Sequence, residues 1–241
     1  MQKIILSCFL LTMAFCHSLA AETKHYVVGV EEFEYYPLYA FGKRKSISEE
    51  LLDTFASEAG ITFEYRPLDI NRLYHELIVD EHVDFKYPDN AYWGSDKKEG
   101  STVIYSSPAV PYTDGVLVHK EKVGSSISSY KTLGMPTGFT PQEYNNLEAD
   151  GSLKLRRHYE IDRLVKDVML GKTQGLYANV IVAQYLVDKD YGSSLVYDPS
   201  LPHTDSHYHL STIKHGDVIE QFNTFLKNNP GLIIKLRDKY K

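Results

Sequence analysis

Between Val83 and Trp93 the sequence reads VDFKYPDNAYW, which sets an ammonium at Lys86, a carboxylate at Asp89, an amide at Asn90 and rings at Tyr92 and Trp93 within a few positions. A lysine answers an anion and an aspartate a cation, while aromatic faces stack on a ring, sandwich an aliphatic group or hold a cation. If the stretch begins as a strand, Phe85 and Tyr87 face one way and Lys86 the other, toward a cleft or snorkelling to solvent. Asp89 and Asn90 follow Pro88, a turn composition whose side chains also bond their own backbone, so ligand contact and turn fixture are both open for them. A second aromatic turn holds Tyr35, Tyr36, Tyr39 and Phe41, of which Tyr36 and Tyr39 are candidate contacts.

Farther along, Thr137, Gly138 and Thr140 precede a predicted helix with Pro141 as its first residue and Thr140 as its cap. Free backbone N–H groups and the positive end of a helix dipole favour an anion there, which makes Thr137 and Thr140 candidates. His203, Asp205, His207 and His209 crowd the stretch PHTDSHYHL, but their spacing matches no metal signature, and no metal or cofactor is expected. Nucleophile elbow, HExxH and phosphate-loop patterns are all missing. Were the chain an enzyme, its acid and base would come from Glu34, Asp89 or Lys86 facing each other across a cleft.

Elements must bring these groups together. After Lys24 short apolar runs alternate with amphipathic ones: strand 26–30, helix 47–60, strand 61–65, helix 70–77 and strand 83–87. The first helix repeats Ile47, Leu51, Phe55 and Ala59 on one face, opens on a Ser46-x-x-Glu49 capping box and closes at Gly60. Asp69 is the expected cap of the second. Strands separated by helices pair in parallel through right-handed crossovers, with ligands beyond their carboxyl ends. Pro108 and Pro111 bracket a first crossing, after which a second cycle runs through a strand near 131–138, a helix near 141–150, a strand over 153–159, a helix over 161–171 and a strand over 175–182. A strand over 207–214 and helices over 217–229 and 232–240 complete the chain.

The 241 residues are 43% apolar and 24% charged, an ordinary globular balance, and the net charge of −6 argues against nucleic acid and anionic membranes as partners. Residues 1–21 carry one lysine, an apolar run from Ile4 to Cys16 and small residues at Ser18, Ala20 and Ala21, the pattern of a secretory signal peptide. Both cysteines, Cys8 and Cys16, fall inside it, so cysteine chemistry is not expected of the mature protein.

The order of motifs resembles the family 3 extracellular solute-binding proteins, periplasmic proteins known for serving amino acid ABC importers. The stretches that carry the resemblance are YYPLYAFG (35–42), ISEELLDTFASEAGITFEYRPLDINRLYHELIVDEHVDF (47–85), IYSSPAVPYTDGVLV (104–118), LGMPTGFTPQ (133–142), LGKTQGLYANVIVAQYLV (170–187) and LSTIKHGDVIEQFNTFLK (210–227). The resemblance implies an α/β periplasmic binding protein type II-like fold, with each lobe a mostly parallel sheet flanked by helices and two hinge strands between them. It would place a first lobe at 22–110, a second at 111–199 and a return segment at 200–241, with hinges at 108–114 and 198–205. It implies capture of a small polar solute between the lobes, delivery to a membrane permease, a monomer and a periplasmic location. Members that bind amino acids hold the carboxylate with an arginine shortly before the aromatic-Ser-x-Pro motif. Here that position falls on Lys98 or Glu99, and the family's acidic partner for the amino group falls near Asn179, which makes Lys98 and Asn179 candidates with altered specificity.

Overall fold

A computed structural model describes residues 23–240; the expected signal peptide lies outside the described residues. The chain begins β1 (His25–Glu31), α1 (Ile47–Ala59), β2 (Thr62–Leu68), α2 (Ile70–Ile78) and β3 (Phe85–Asp89), close to the expected order. Both β2 and β3 pair in parallel with β1, so the two helical crossovers build a parallel core. α1 buries Ile47, Leu51, Leu52 and Phe55, and the Phe55 ring meets Phe222 at 4.9 Å. Each such side chain contributes about 1.5–3 kcal/mol on leaving water. Gly60 ends the helix in the left-handed region at φ 66°, and Asp69 caps α2 by accepting from the Asn71 and Arg72 amides at 3.1 Å. The Ser46 capping box does not form: the Ser46 hydroxyl has no partner, and Glu49 is taken by Lys45 at 2.8 Å.

After β4 (Ile104–Tyr105) the chain crosses into β5 (Pro111–His119), and a second unit follows: β6 (Thr132–Pro136), α3 (Asn145–Ala149), β7 (Lys154–His158), α4 (Ile161–Met169), β8 (Leu176–Asn179), α5 (Val180–Asp190), β9 (Leu195–Tyr197) and β10 (Thr204–His207). β11 (His209–Thr212), α6 (Gly216–Asn228) and α7 (Leu232–Lys239) return to the first unit. The first sheet runs β2-β1-β3-β11-β4 and the second β10-β5-β8-β6-β7, with β9 also on β5.

Both sheets are mixed rather than mostly parallel. The strands joined by helices are parallel, whereas β4, β5, β10 and β11, which carry the chain across and back, pair antiparallel. The expected single strand over 207–214 is two strands, and the return at residue 200 comes later: β10 still pairs with β5, and the chain recrosses at Tyr208. The two crossing segments are tied to each other, Ala109 N–H donating to the Tyr208 carbonyl at 3.0 Å and Tyr208 N–H to Val110 at 2.9 Å.

Two further expectations shift. The strand read over 175–182 stops at Asn179, because the Asn179 side chain accepts from the Ile181 and Val182 amides at 3.1 and 3.3 Å and so caps α5. The helix expected to open on Pro141 is a single 3-10 turn, Gln142–Tyr144, followed by the short α3, and neither is capped by a side chain. The anion site expected of a helix dipole at Thr140 therefore loses its basis.

Candidate functional site

Where the two sheets meet beside the crossing segments lies a narrow cavity with about 20 Å³ of free space, room for about one water, within a gap of about 410 Å³ that includes open solvent. Its walls come from both units. Glu31 at the end of β1, Tyr39 in the following turn, Ile70 and Tyr74 on α2, and Trp93 after β3 stand on one side; Asp114 on β5 with Gly138, Phe139 and Thr140 after β6 stand on the other, and Tyr208 closes the hinge end. Within each sheet the parallel crossovers bring strand carboxyl ends to one edge, those of β1 and β3 in the first sheet and that of β6 in the second, and residues at these ends line the gap.

Two carboxylates face this gap, and both are buried, Glu31 at 3% exposure and Asp114 at 8%. Glu31 accepts a hydrogen bond from the Tyr39 hydroxyl. Burial raises its pKa, against the pull of Lys86 and of the Tyr39 bond. Asp114 sits opposite Asn179 in the β5–β8 register and accepts from Asn179 Nδ2 at 3.4 Å. Loss of water pushes its carboxyl up to about 7, only partly offset by that amide.

Half of the lining is aromatic: Tyr39, Tyr74, Trp93, Phe139 and Tyr208. Tyr39 stacks on Tyr35 at 5.0 Å, Tyr35 meets Phe139 at 5.5 Å, and Tyr208 stacks on Tyr112 at 4.8 Å and meets Trp93 edge-on at 5.9 Å. Tyr35 also joins the units directly, its hydroxyl accepting from the Asn179 amide N–H at 3.1 Å. Burial holds the hydroxyls of Tyr35, Tyr39 and Tyr208 well above the ordinary tyrosine range, so all three are neutral.

Behind the Trp93 wall sits a closed ionic cluster. Asp89 accepts from Lys98 Nζ at 2.9 Å, the Ser211 hydroxyl at 2.7 Å, the Asn90 amide at 2.8 Å and Lys86 Nζ at 3.5 Å. Lys86, with no exposed surface, also donates to the Pro88 carbonyl at 2.5 Å, and Lys98 donates to the Asn90 carbonyl at 2.8 Å. Both ammonium groups lie over Tyr74, at 4.8 and 5.2 Å from the ring centroid. Burial lowers the Lys98 pKa against the opposing effect of Asp89.

Of the residues singled out in the sequence, Tyr39, Trp93 and Thr140 line the cavity. Lys86, Asp89, Asn90 and Lys98 form the network behind it; Asn90 Nδ2 bonds Ser206 and the His207 carbonyl, both at 3.1 Å, pinning the turn to β10. Asn179 caps α5 and steadies Asp114 from behind. Tyr92 is 64% exposed, and Thr137 is fixed in the β6–β7 end by its N–H to the His158 carbonyl at 2.9 Å. Tyr36 belongs to a separate groove, where the Arg44 guanidinium covers its ring at 3.5 Å and Tyr185 adjoins it at 4.9 Å. Of the acid–base candidates, Glu34 is paired with Arg44 at 2.9 Å in that same groove. The histidines do not converge: His203 bonds the Leu201 carbonyl and His209 the Ser106 carbonyl.

Sequence reasoning missed Glu31, Tyr74, Asp114 and Tyr208. The available signal was their position: a carboxylate at the very end of an apolar strand for Glu31, and an aspartate inside the otherwise apolar crossing strand for Asp114.

No family model matches the chain, and no curated protein does. Solved structures do. A mutant of the arginine-binding protein ArgBP from T. maritima superposes with a TM-score of 0.71 at 16% identity, covering 90% of this chain and 94% of that one. An arginine transport-system periplasmic binding protein from Legionella pneumophila gives 0.71 at 14%, over 91% and 100%. The GluR0 ligand-binding core in complex with L-glutamate gives 0.72 at 11%, over 92% and 99%. Identities this low speak to the backbone alone, and on that ground the chain has the two-lobed periplasmic binding protein fold.

Proposed function

We propose that the chain is a solute-binding protein of an ABC importer, which captures a small polar molecule between its lobes and presents it to a membrane permease. The observation that carries this reading is the cavity, whose walls come from both sheets and whose hinge end is formed by the two hydrogen-bonded crossing segments. Such a site opens and closes by rotation about those segments, binding without chemistry. The fold neighbours include substrate-binding proteins of amino acid transporters, which supports the same reading. The lobes are the two sheets with their helices, the mature chain follows a signal peptide of 21 residues, and the protein works as a periplasmic monomer. Among the described residues no helix is long and apolar enough to cross a membrane.

One observation favours a second reading: two buried carboxylates, each raised by burial, face one cavity, the arrangement an acid–base lyase or dehydratase requires. A single experiment separates the two. Mass spectrometry of the solute released from the purified protein, after a long incubation with added solute, returns it unaltered if the protein only binds. A chemically changed product makes it an enzyme. Small-angle scattering with and without the solute reports closure, and a radius of gyration unchanged at saturation refutes the hinge.

A further inference from the structure

We infer that the cavity, narrow as it stands here, opens to take a small organic cation that carries no carboxylate, an amine or a quaternary ammonium; this rests on the solute-binding reading above. The lining holds two carboxylates, Glu31 and Asp114, and no lysine, arginine or histidine. Asp114 is the more telling. Among the described residues its only hydrogen-bond donor is the long contact from Asn179, so a buried carboxylate faces the cavity without a counterion. Such a group either takes up a proton, as its rise to about 7 allows, or keeps its charge and meets a cation from the space it faces.

The remaining walls suit the same guest. Tyr39, Tyr74, Trp93, Phe139 and Tyr208 present aromatic rings, whose negative faces attract ammonium groups, and the tyrosine hydroxyls remain neutral acceptors and donors.

An amino acid would also bring a carboxylate, and nothing in the cavity offers that group a charge. The two ammonium groups nearest to it, Lys86 and Lys98, are held by Asp89 and by the Pro88 and Asn90 carbonyls. Lys98 stands where the resemblance places a carboxylate-binding arginine, yet its ammonium is turned to Asp89 at 2.9 Å behind the wall. A zwitterion would thus bring its carboxylate beside Asp114, which has no counterion among the described residues, whereas a simple cation supplies one.

The test is isothermal titration of the full chain with tetramethylammonium, choline and putrescine, beside 3,3-dimethylbutan-1-ol as the uncharged shape analogue of choline, and arginine, glutamine and glutamate. The expected result is binding of at least one carboxylate-free cation, with the uncharged analogue weaker by about a hundredfold or more. Asp114→Asn and Glu31→Gln each weaken the cation by about tenfold or more while the far-ultraviolet spectrum and cooperative melt are retained, and Lys43→Ala, which lines the separate groove of Tyr36 and Arg44 and not this cavity, leaves affinity unchanged. If an amino acid binds and loses affinity in Asp114→Asn while the amines do not bind, the cation assignment is overturned and the solute-binding reading stands. If neither set binds, both fall.

Discussion

Replacing Asp114 by asparagine removes the charge and keeps the shape, and its effect on the ligand-free protein follows from burial. The carboxyl moves from its ordinary 3.8 to about 7 because the folded chain takes water from it, and Glu31 adds repulsion. The folded state therefore favours the protonated form. Below about pH 4 both states are protonated and the group is neutral to stability. Between pH 4 and 7 the unfolded chain gives up the proton while the folded one keeps it, so stability falls by about 1.4 kcal/mol per pH unit. Above about pH 7 both states are ionised and the full penalty, ~4 kcal/mol for a shift of about three units, is present and constant. That is a large part of the 5–15 kcal/mol typical of a folded domain, estimated at roughly that span. Glu31 contributes in the same sense, and the tyrosines around Asp114, namely Tyr35, Tyr112, Tyr177 and Tyr208, stay neutral across this range. Urea unfolding of the wild type and of Asp114→Asn at pH 5, 6, 7 and 8 isolates this group and its coupling to Glu31, since titrations that do not interact with Asp114 cancel in the difference. The variant is expected to gain on the wild type as pH rises to 7 and then hold its lead. A difference independent of pH, or a variant less stable at pH 8, refutes the argument that this carboxylate is buried without a counterion.

At pH 6 a bound cation should expel the Asp114 proton, so calorimetry in buffers of different ionisation enthalpy is expected to find about one proton released per site, falling toward zero above pH 8. Trp93→Ala removes one wall of the cavity and should weaken the solute by about 1–3 kcal/mol with the fold intact; unchanged affinity would take 83–93 out of the site. Asp89→Asn leaves Lys86 and Lys98 buried without a carboxylate and should cost about 3–5 kcal/mol in chemical denaturation, far more than an exposed pair such as Lys166 and Asp162 would. Gly138, at φ 84°, lies against Ile70 of the opposite unit, and a Cβ there would stand 2.9 Å from Ile70 Cδ1. Gly138→Ala should accordingly weaken binding by about tenfold, and Ile70→Val, which removes that Cδ1, should restore part of the loss in the double variant.

The first half of the fold was legible because its signals are local. Period, caps and a closing glycine locate α1 and α2, and βαβ connectivity dictates parallel pairing of β1, β2 and β3. The site was only half legible. VDFKYPDNAYW announced concentrated chemistry, yet sequence cannot say which side of a strand end faces a gap made by another part of the chain. Lys86 and Lys98 read as binding groups because they are charges in a cleft motif; only the tertiary arrangement shows Asp89 closing on both. Asn179 read as a ligand contact for the same reason, although an asparagine before an apolar run is equally a helix cap. Glu31 and Asp114 lay hidden because each is one acid in an apolar strand, and their meaning arises when the strands, more than 80 positions apart, meet across one cavity.

On the proposed solute-binding reading, placing the two carboxylates on opposite lobes ties binding to closure. Glu31 belongs to the first sheet and Asp114 to the second, so closing the lobes on an empty site brings two like charges together while removing their water. That opposes closure, and a proton on Asp114, whose burial in this arrangement pushes it up to about 7, would reduce the cost. A cation between them reverses the sign: each carboxylate attracts it, and the attraction strengthens as water leaves. The guest is thus worth more to the closed state than to the open one, the one property a ligand must have to drive the change. Neutralising either acid should therefore let the empty protein close more readily and make closure less dependent on solute, an outcome that scattering on Glu31→Gln and Asp114→Asn reads directly. If both variants keep the open dimensions of the ligand-free wild type, the carboxylates play no part in holding the lobes apart.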